Sequence, residues 1–350
     1  MPHYIVGWDI GGAHIKAALL KTEGEVIDVF LESCPLWKGL EFLDRAINAI
    51  NSKLKGKNCL HVVTMTGELV DFFESRDDGV EKIIQAMQAN LVDTDISIYV
   101  GLQGFVPASD VLQQHYDFIA SANWLASASL VAKQLNAGLF IDIGSTTTDI
   151  LVLAEHQVQA VGLTDYQRLL SDELVYTGII RTAVMAVAQK ALFKGKRMGL
   201  MAEYFATMAD VYRLTGELNE AHDQTDTADG AEKTVEASAK RLSRMTGYEY
   251  SEKDHEIWIQ FAENIKDQQK EKIKQACRKH LDRNLISKDD FFIGAGVGRF
   301  LVKQLADELG YSYVDFSDLI QPSSHSAVID LADCAPAVAV AKLYAQEMNS

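Results

Sequence analysis

Two stretches of the chain share one pattern of apolar and polar positions. In residues 4–20, an apolar run leads into Asp9, a pair of glycines follows, and a second apolar run leaves the turn. In residues 139–153, the same order of features surrounds Asp142, and the turn is rich in hydroxyl groups. Glycine permits a tight backbone turn, and apolar runs on both sides of such a turn are typical of paired strands. Each stretch therefore predicts a β-hairpin with a carboxylate at the end of its first strand.

The tips of both hairpins have the composition of phosphate-binding turns. Successive backbone N–H groups can donate to phosphate oxygens, and a carboxylate at a strand end can hold Mg²⁺ beside them. Since Asp9 and Asp142 occupy equivalent positions, we predict two similar half-molecules that face one phosphate group, with both aspartates as metal ligands. The predicted phosphate contacts are Gly11, Gly12, Lys16, Gly144, Ser145, Thr146 and Thr147. Lys16 is equally compatible with a surface position on the returning strand.

A third glycine-rich stretch lies near the C-terminus. Residues 291–301 predict a strand, a turn that contains Gly294, Gly296 and Gly298, and the start of a helix. The free N–H groups and the dipole at a helix N-terminus favour an anion or a nucleotide. We therefore predict that these three glycines bind a substrate or a nucleotide.

Strand-like and helix-like patterns alternate along the rest of the chain. Apolar residues recur at helical spacing in residues 42–54, and a compact apolar run over residues 60–65 predicts a parallel strand. A helix of small residues begins near Asn123 and Trp124. These two residues either contact the substrate in a cleft or serve as a helix cap and a core anchor.

The pattern as a whole predicts an α/β protein of two domains with a cleft between them. The predicted bounds are residues 1–136 and 137–350, with a helical insertion around residues 163–285 in the second domain. Within this insertion, residues 219–237 are the least hydrophobic part of the chain. We interpret them as an exposed acidic loop, because the spacing of His222 and its neighbouring aspartates matches no calcium-binding loop.

Composition narrows the functions that fit this architecture. The chain has 350 residues, enough for two domains with sizeable cores. Its net charge of −16 argues against nucleic acid or an anionic membrane as a partner. The four cysteines lie far apart and form neither a zinc-binding nor a disulfide pattern. No apolar run is long enough for a membrane helix, and the N-terminus lacks a signal-peptide pattern, so we expect a cytoplasmic protein.

The three glycine-rich stretches, in this order, resemble the two phosphate loops and the adenosine-side loop of the actin-like (ASKHA, ribonuclease H-like) ATPase superfamily. One branch is especially similar: the hydantoinase/oxoprolinase-related proteins of methanofuran and tetrahydromethanopterin-linked one-carbon metabolism. The segments that carry this resemblance are DIGGAHIKAA, SANWLASA, DIGSTTTDI, LLSDELVYTGIIRT, DQTDTADG and FIGAGVGRFL. The resemblance implies an actin-like fold of two domains around an interdomain cleft.

The resemblance also implies a transferase that acts on small molecules. The activity characterised in that group joins the phenol of γ-glutamyltyramine to an aminomethylfuran-methanol diphosphate, so that an aryl ether forms and diphosphate leaves. A tyrosine-type phenol would keep the same chemistry. Mg²⁺ on Asp9 and Asp142, together with Lys16, would stabilise the leaving diphosphate.

The phenol in such a reaction must lose its proton to become a good nucleophile, and its ordinary pKa is about 10. A base or a nearby cation would assist it, and His14, Asp172 and Glu173 are the candidates. His14 is equally compatible with a structural place in the first hairpin. The sequence does not choose among these residues.

Two other functions also fit the sequence. An ATP-dependent small-molecule kinase would hold adenosine at the third glycine-rich stretch and the phosphates at the two hairpins. An actin-like scaffold that binds nucleotide and polymerises is the least favoured, because the chain is compact and lacks partner-binding extensions.

Overall fold

The computed structural model describes residues 3–321 and 329–349 of the chain. In the N-terminal half, ten elements follow one another: β1 (Tyr4–Ile10), β2 (His14–Lys21), β3 (Val26–Ser33), α1 (Leu40–Lys53), β4 (Cys59–Met65), α2 (Arg76–Asn90), β5 (Ile96–Tyr99), β6 (Phe105–Pro107), α3 (Tyr116–Ile119) and α4 (Asn123–Gln134). Their strands form one sheet in the order β3-β2-β1-β4-β5-β6. Strands β1, β2 and β3 pair antiparallel, whereas β4 is parallel to both β1 and β5.

The C-terminal half is built on a second sheet. Its elements are β7 (Gly138–Ile143), β8 (Thr148–Ala154), β9 (Gln157–Val158), α5 (Asp165–Ser171), β10 (Leu174–Val175), α6 (Val184–Val187), β11 (Lys190–Phe193), β12 (Lys196–Gly199), α7 (Met208–Thr215), α8 (Val235–Thr246), α9 (His255–Leu281), β13 (Phe291–Ala295), α10 (Arg299–Leu309), β14 (Ser312–Asp315), α11 (Phe316–Ile320) and α12 (Ala335–Met348). The strand order is β10-β8-β7-β13-β14.

The two sheets repeat one topology. In each, a hairpin of two antiparallel strands is extended by a third antiparallel strand on one side and by two parallel strands on the other. This duplicated order confirms the predicted two-domain actin-like architecture, and the two predicted hairpins are β1–β2 and β7–β8. Strands β4 and β7 are buried along their whole length, as their nearly continuous apolar sequences require of central parallel strands.

Two helices join the halves. Helix α12 packs on β1, β2 and β4 of the first sheet and against α4, while α4 also contacts β7, β8 and β9 of the second. The approach of α12 to β1 depends on Gly7, because a side chain there would collide with the backbone carbonyl of Ala337. The predicted division at residue 136 lies between α4 and β7, and the last helix returns to the first sheet.

The segment 219–237 is less exposed than its composition predicts. His222 and Asp223 are buried, because Arg213 on α7 forms ion pairs with Glu220 at 2.8 Å and with Asp223 at 2.6 Å. Arg241 on α8 is also fully buried and pairs with Asp229 at 3.2 Å. Buried arginines therefore hold this segment against the protein. Our interpretation of it as an exposed loop is wrong for His222 and Asp223, whereas most of its other residues are exposed.

The prediction for the cysteines agrees with the described structure. All four cysteines are buried and unpaired. Among residues 3–321 and 329–349, no helix combines the length and the apolar composition that crossing a bilayer requires.

Candidate active site

Both hairpin turns open into one cavity of about 720 Å³ between the two halves. The first turn comprises residues 11–13, after β1, and the second comprises residues 144–147, after β7. Of the residues that the sequence predicts for the site, the following line this cavity: Asp9, Gly11, Gly12, His14, Lys16, Asn123, Trp124, Asp142, Gly144, Ser145, Thr146 and Thr147. The fold therefore brings together residues that lie up to 138 positions apart in the chain.

The first hairpin places a carboxylate opposite an amine. Asp9 faces Lys16 in the β1–β2 ladder, and only 5% of Asp9 is exposed. The side-chain amide of Asn123, the first residue of α4, donates to Asp9 Oδ1 at 3.2 Å. Asn123 thus lines the cavity and contacts a carboxylate in it. It is not the helix cap, because Ala122 occupies that position, and its contact with a substrate stays a prediction.

The second turn is held in place by backbone hydrogen bonds from the chain that follows β10. Within the turn, the N–H of Gly144 donates to the carbonyl of Thr147 at 2.8 Å, and the N–H groups of Ile180 and Arg181 donate to the carbonyl of Ser145 at 3.1 and 3.0 Å. The Ser145 hydroxyl is buried and has no hydrogen-bond partner. A held turn with an unsatisfied hydroxyl is the arrangement expected where a ligand oxygen binds.

Around Asp9, Asp142 and Lys16, carboxylates outnumber ammonium groups. Burial raises the pKa of Asp142 to about 7, with Asp149 and Asp9 adding to the rise and Lys16 opposing it. Burial likewise raises the pKa of Asp9, against Lys16 and Asn123. For Lys16, burial acts to lower the pKa, but Asp9 and Asp142 outweigh it and raise the value above normal. One partly buried ammonium thus lies between two buried carboxylates and offsets the charge of both.

This charge imbalance fits a divalent cation. Asp9 and Asp142 supply the oxygen ligands that Mg²⁺ prefers, and a bound cation would relieve the cost of ionising both. Within the described parts of the chain, no group of three or more His, Cys, Asp or Glu side chains has the arrangement of a metal site. Mg²⁺ on Asp9 and Asp142 therefore stays a prediction, in which water and phosphate oxygens would have to supply the remaining ligands.

His14 presents a neutral imidazole to the same cavity. It is 8% exposed, and its Nε2 atom is buried without a hydrogen-bond partner. Burial lowers the pKa of His14 to about 4, helped by the positive charges of Lys16 and Arg181. At neutral pH the ring is uncharged and one of its nitrogens can accept a proton.

Several cavity residues are absent from our sequence prediction. Arg168 of α5 is 1% exposed, forms a 2.6 Å ion pair with Asp149, and lies 4.0 Å above the ring of Trp124. Asp165 pairs with Arg76 of α2 at 2.5 Å, which links the two halves at the cavity wall. The sequence signal for these residues is a run of polar residues interleaved with apolar ones between residues 163 and 188. That pattern fits a helix cap as well as a cleft, so it does not single them out.

Glu173 lies outside the cavity. It is fully buried, and its two carboxylate oxygens accept from the N–H groups of Val161 and Gly162 at 2.6 and 2.8 Å and from the Ser171 hydroxyl at 2.8 Å. Asp172, the other acidic candidate, pairs with Lys279 at 2.6 Å and does not line the cavity. Glu173 therefore organises the chain around α5, and we do not include either carboxylate in the proposed chemistry.

The glycines of the third stretch do not line the cavity either. Gly294 packs under the ring of Tyr313, and Gly298 packs against Ile143 and Ile179. Gly296 lies against Asp142 and the carbonyl of Ile143. This loop therefore packs against Asp142 and supports its position. It is held there by Arg299, which donates to the Gly296 carbonyl at 3.1 Å and pairs with Asp333 at 2.5 Å.

We expect Gly296→Ala to impair the site more than the fold. Gly296 has a φ of +77°, and an added Cβ would collide with Asp142 Oδ1. Strain in the left-handed region costs about 1–3 kcal/mol, and the displaced carboxylate should cost at least about 10-fold in activity. Steady-state rates and urea melts measure both effects. Gly199→Ala is the matched control, because no atom lies within 4 Å of its added Cβ; equal activities of the two variants would contradict the supporting role.

Comparisons with known proteins show what this chain is similar to. The family model Hydantoinase/oxoprolinase matches residues 60–346. A relative from Methanocaldococcus jannaschii, (4-{4-[2-(gamma-L-glutamylamino)ethyl]phenoxymethyl}furan-2-yl)methanamine synthase, is 30% identical over 350 residues, which cover 99% of this chain and 98% of that protein. A protein of the same name from Methanococcus vannielii is 26% identical over 228 residues, 64% of this chain and 98% of its own length. Among solved structures, nucleotide-free acetone carboxylase matches with a TM-score of 0.56 at 8% identity, over 89% of this chain and 68% of that one, and shows the fold alone.

Proposed function

We propose, because the chain belongs to the hydantoinase/oxoprolinase family, that it is a transferase of methanofuran-type cofactor biosynthesis. It joins an aminomethylfuran-methanol diphosphate to the phenol of a γ-glutamyltyramine or tyrosine-type acceptor. The product that names the two relatives contains a phenoxymethyl group on a furan, which is the aryl ether that this reaction would form.

One observation carries the proposal. Two glycine turns, one ammonium and two buried carboxylates surround a single cavity, and a neutral histidine with an unpartnered nitrogen lies among them. The turns and Lys16 suit a phosphate-bearing group, while His14 suits a nucleophile that must lose a proton. A transferase with a phosphate-type leaving group needs both in one place.

The reaction breaks and forms one bond at the same carbon. The bond between the furfuryl carbon and the diphosphate oxygen breaks, and its electron pair leaves with the diphosphate. The phenol oxygen forms the new bond to that carbon, and its proton passes to the imidazole of His14, which lines the cavity. The furan ring stabilises positive charge on the carbon, so the protein's main task is to stabilise the departing anion.

Different groups in the cavity stabilise the leaving diphosphate and accept the proton of the phenol. Backbone N–H groups of the two turns and the Lys16 ammonium stabilise charge on the leaving diphosphate, as preorganised donors do in a water-poor site. Mg²⁺, held by Asp9 and Asp142, would supply further charge neutralisation on the same oxygens. Lys16 and Arg181 lower the pKa of His14 in the free protein, and the arriving diphosphate offsets these charges, so His14 becomes a better base when the donor is bound.

The alternative is an ATP-dependent small-molecule kinase. Such an enzyme would place adenosine at Gly294, Gly296 and Gly298, yet these glycines pack on Asp142, Tyr313 and two isoleucines. That packing favours a compact diphosphate ester over a nucleotide.

A direct assay distinguishes the two functions. We expect that the protein, Mg²⁺, the aminomethylfuran-methanol diphosphate and γ-glutamyltyramine yield aryl ether and diphosphate in equal amounts without ATP. Mass spectrometry follows the ether, and a coupled phosphate assay follows the diphosphate. Turnover that requires ATP, or phosphorylation of an alcohol without ether formation, would overturn the synthase and support the kinase.

A further inference from the structure

Arg181 is a cationic residue of the cavity wall to which the proposed reaction assigns no contact with a substrate. It follows β10, lies partly buried on the cavity wall, and donates through Nη1 to the hydroxyl of Thr146 at 3.4 Å. Its backbone N–H also donates to the carbonyl of Ser145. The guanidinium is therefore tied to the second turn, beside the unsatisfied hydroxyl of Ser145.

The guanidinium of Arg181 has no carboxylate partner. Arg168, the other arginine on the cavity wall, pairs with Asp149, and Arg76 and Arg299 nearby also form ion pairs. Across residues 3–321 and 329–349, by contrast, no Asp or Glu oxygen lies within 4.0 Å of Arg181, and burial lowers its pKa. A partly buried guanidinium is costly unless an anion accompanies it, so this residue needs a negatively charged ligand.

The remaining contact of Arg181 crosses between the two halves. Its guanidinium carbon lies 4.9 Å from the ring centroid of Trp37, which belongs to the N-terminal half and also lines the cavity. A stacked guanidinium keeps its in-plane N–H groups free for hydrogen bonds. Trp37 thus supports the cation over the cavity without supplying the missing negative charge.

We propose that Arg181, supported by Trp37, binds the distal phosphate of the donor and makes the site select a diphosphate over a monophosphate. This assignment rests on the proposed function only for the identity of the donor. In the proposed complex the two turns would hold one phosphate group, and Arg181, which contacts Thr146 of the second turn, lies where a next phosphate would extend. Guanidinium groups bind phosphate through two parallel N–H donors. In Arg181, Nη1 contacts Thr146, whereas Nε and Nη2 make no hydrogen bond to any residue that the structure describes.

Anion binding tests the assignment without catalysis. Calorimetric titration with inorganic pyrophosphate and with inorganic phosphate, both with Mg²⁺, gives the ratio of the two affinities. We expect Arg181→Gln to weaken pyrophosphate binding by about 10- to 100-fold, the loss typical of a hydrogen bond to a charged group, and phosphate binding by less than about 3-fold. Arg181→Lys should be intermediate, because it retains the charge but lacks the paired donors. Arg197→Gln is the control, since it removes an exposed arginine on β12.

Tryptophan fluorescence supplies a second measurement. Trp37 is 39% exposed, whereas Trp8, Trp124 and Trp258 are 3% exposed or less, so iodide quenching reports mainly on Trp37. We expect pyrophosphate to change this quenching in the wild-type protein and in Arg197→Gln, but not in Arg181→Gln.

The outcomes separate this proposal from the proposed function. Equal losses for both anions, unchanged binding of both, or a wild-type protein that does not prefer pyrophosphate would each overturn the role of Arg181. The selective loss of pyrophosphate binding supports it, even if the ether assay fails. In that case the donor would be a different diphosphate ester, and the proposed reaction alone would be wrong.

Discussion

Replacing Asp142 by asparagine should lower turnover by about 100-fold or more, the usual loss when a key electrostatic group is removed from an active site. The substitution keeps the shape of the side chain and removes its charge. Asp142 lies at the end of β7, beside the second turn and against Gly296. The carboxylate opposite it in the β7–β8 ladder, Asp149, is paired with Arg168. Steady-state assays across a Mg²⁺ titration measure the loss. Near-normal activity at any Mg²⁺ concentration would exclude Asp142 as the metal ligand.

The same variant should be more stable than the wild-type protein in the absence of metal. Burial raises the pKa of Asp142 from 3.8 to about 7, so the folded state binds a proton that the unfolded state has lost. The stability of the wild-type protein therefore falls as the pH rises from about 4 to about 7, and the full cost is present above pH 7. Asparagine does not ionise and avoids this cost.

The stability difference has a definite pH profile. We expect urea melts in EDTA to show Asp142→Asn more stable by roughly 1–4 kcal/mol at pH 8, a range that already includes the lost attraction between Asp142 and Lys16. The advantage should shrink steadily toward pH 5. A variant that is less stable than the wild-type protein at pH 8 would show that Asp142 is satisfied in the free protein, against the charge imbalance described above.

The sequence predicted the hairpins well because their pattern is local. A tight turn needs glycine, and the buried strands on both sides need apolar residues, so short windows around Asp9 and Asp142 contain the necessary information. The repetition of one pattern also predicted that the two carboxylates meet. Their meeting in one cavity follows from the duplicated sheet order, which no single stretch of sequence reveals.

The residues that the sequence did not identify depend on contacts between distant segments. Arg168 and Arg181 lie in a polar run whose spacing suits a helix cap, and their positions depend on the packing of α5 and of the chain after β10 onto the second turn. Glu173 has the residue type of a catalytic base, yet the N–H groups of Val161 and Gly162 use its oxygens. Gly296 carries a glycine signature for a ligand, but the neighbour it makes room for is Asp142. Residue type and local spacing do not distinguish these cases, whereas three-dimensional contacts do.

Replacing Lys16 by methionine should also cost about 100-fold or more in turnover, because we propose that this ammonium stabilises charge on the leaving group. Unlike Asp142→Asn, it should destabilise the fold. Lys16 offsets the burial of both Asp9 and Asp142, so its loss leaves two like charges together without a cation. The pKa values of both carboxyl groups should then rise further, and the loss of stability should be larger at pH 8 than at pH 6, where protonation of Asp142 relieves it.

A control and a double variant make this prediction specific. Lys21→Met removes an exposed lysine from the same strand, and it should leave turnover unchanged and stability within about 0.5 kcal/mol of the wild-type protein. In the double variant Lys16→Met/Asp142→Asn, the loss of the ammonium coincides with the loss of one of the charges it offsets. Its stability at pH 8 should therefore exceed that of Lys16→Met, and the two effects should be strongly non-additive, as expected for residues that interact directly. Additive effects, or a Lys16→Met variant that matches Lys21→Met in activity, would show that Lys16 does not share charge with the carboxylates and does not contact the leaving group.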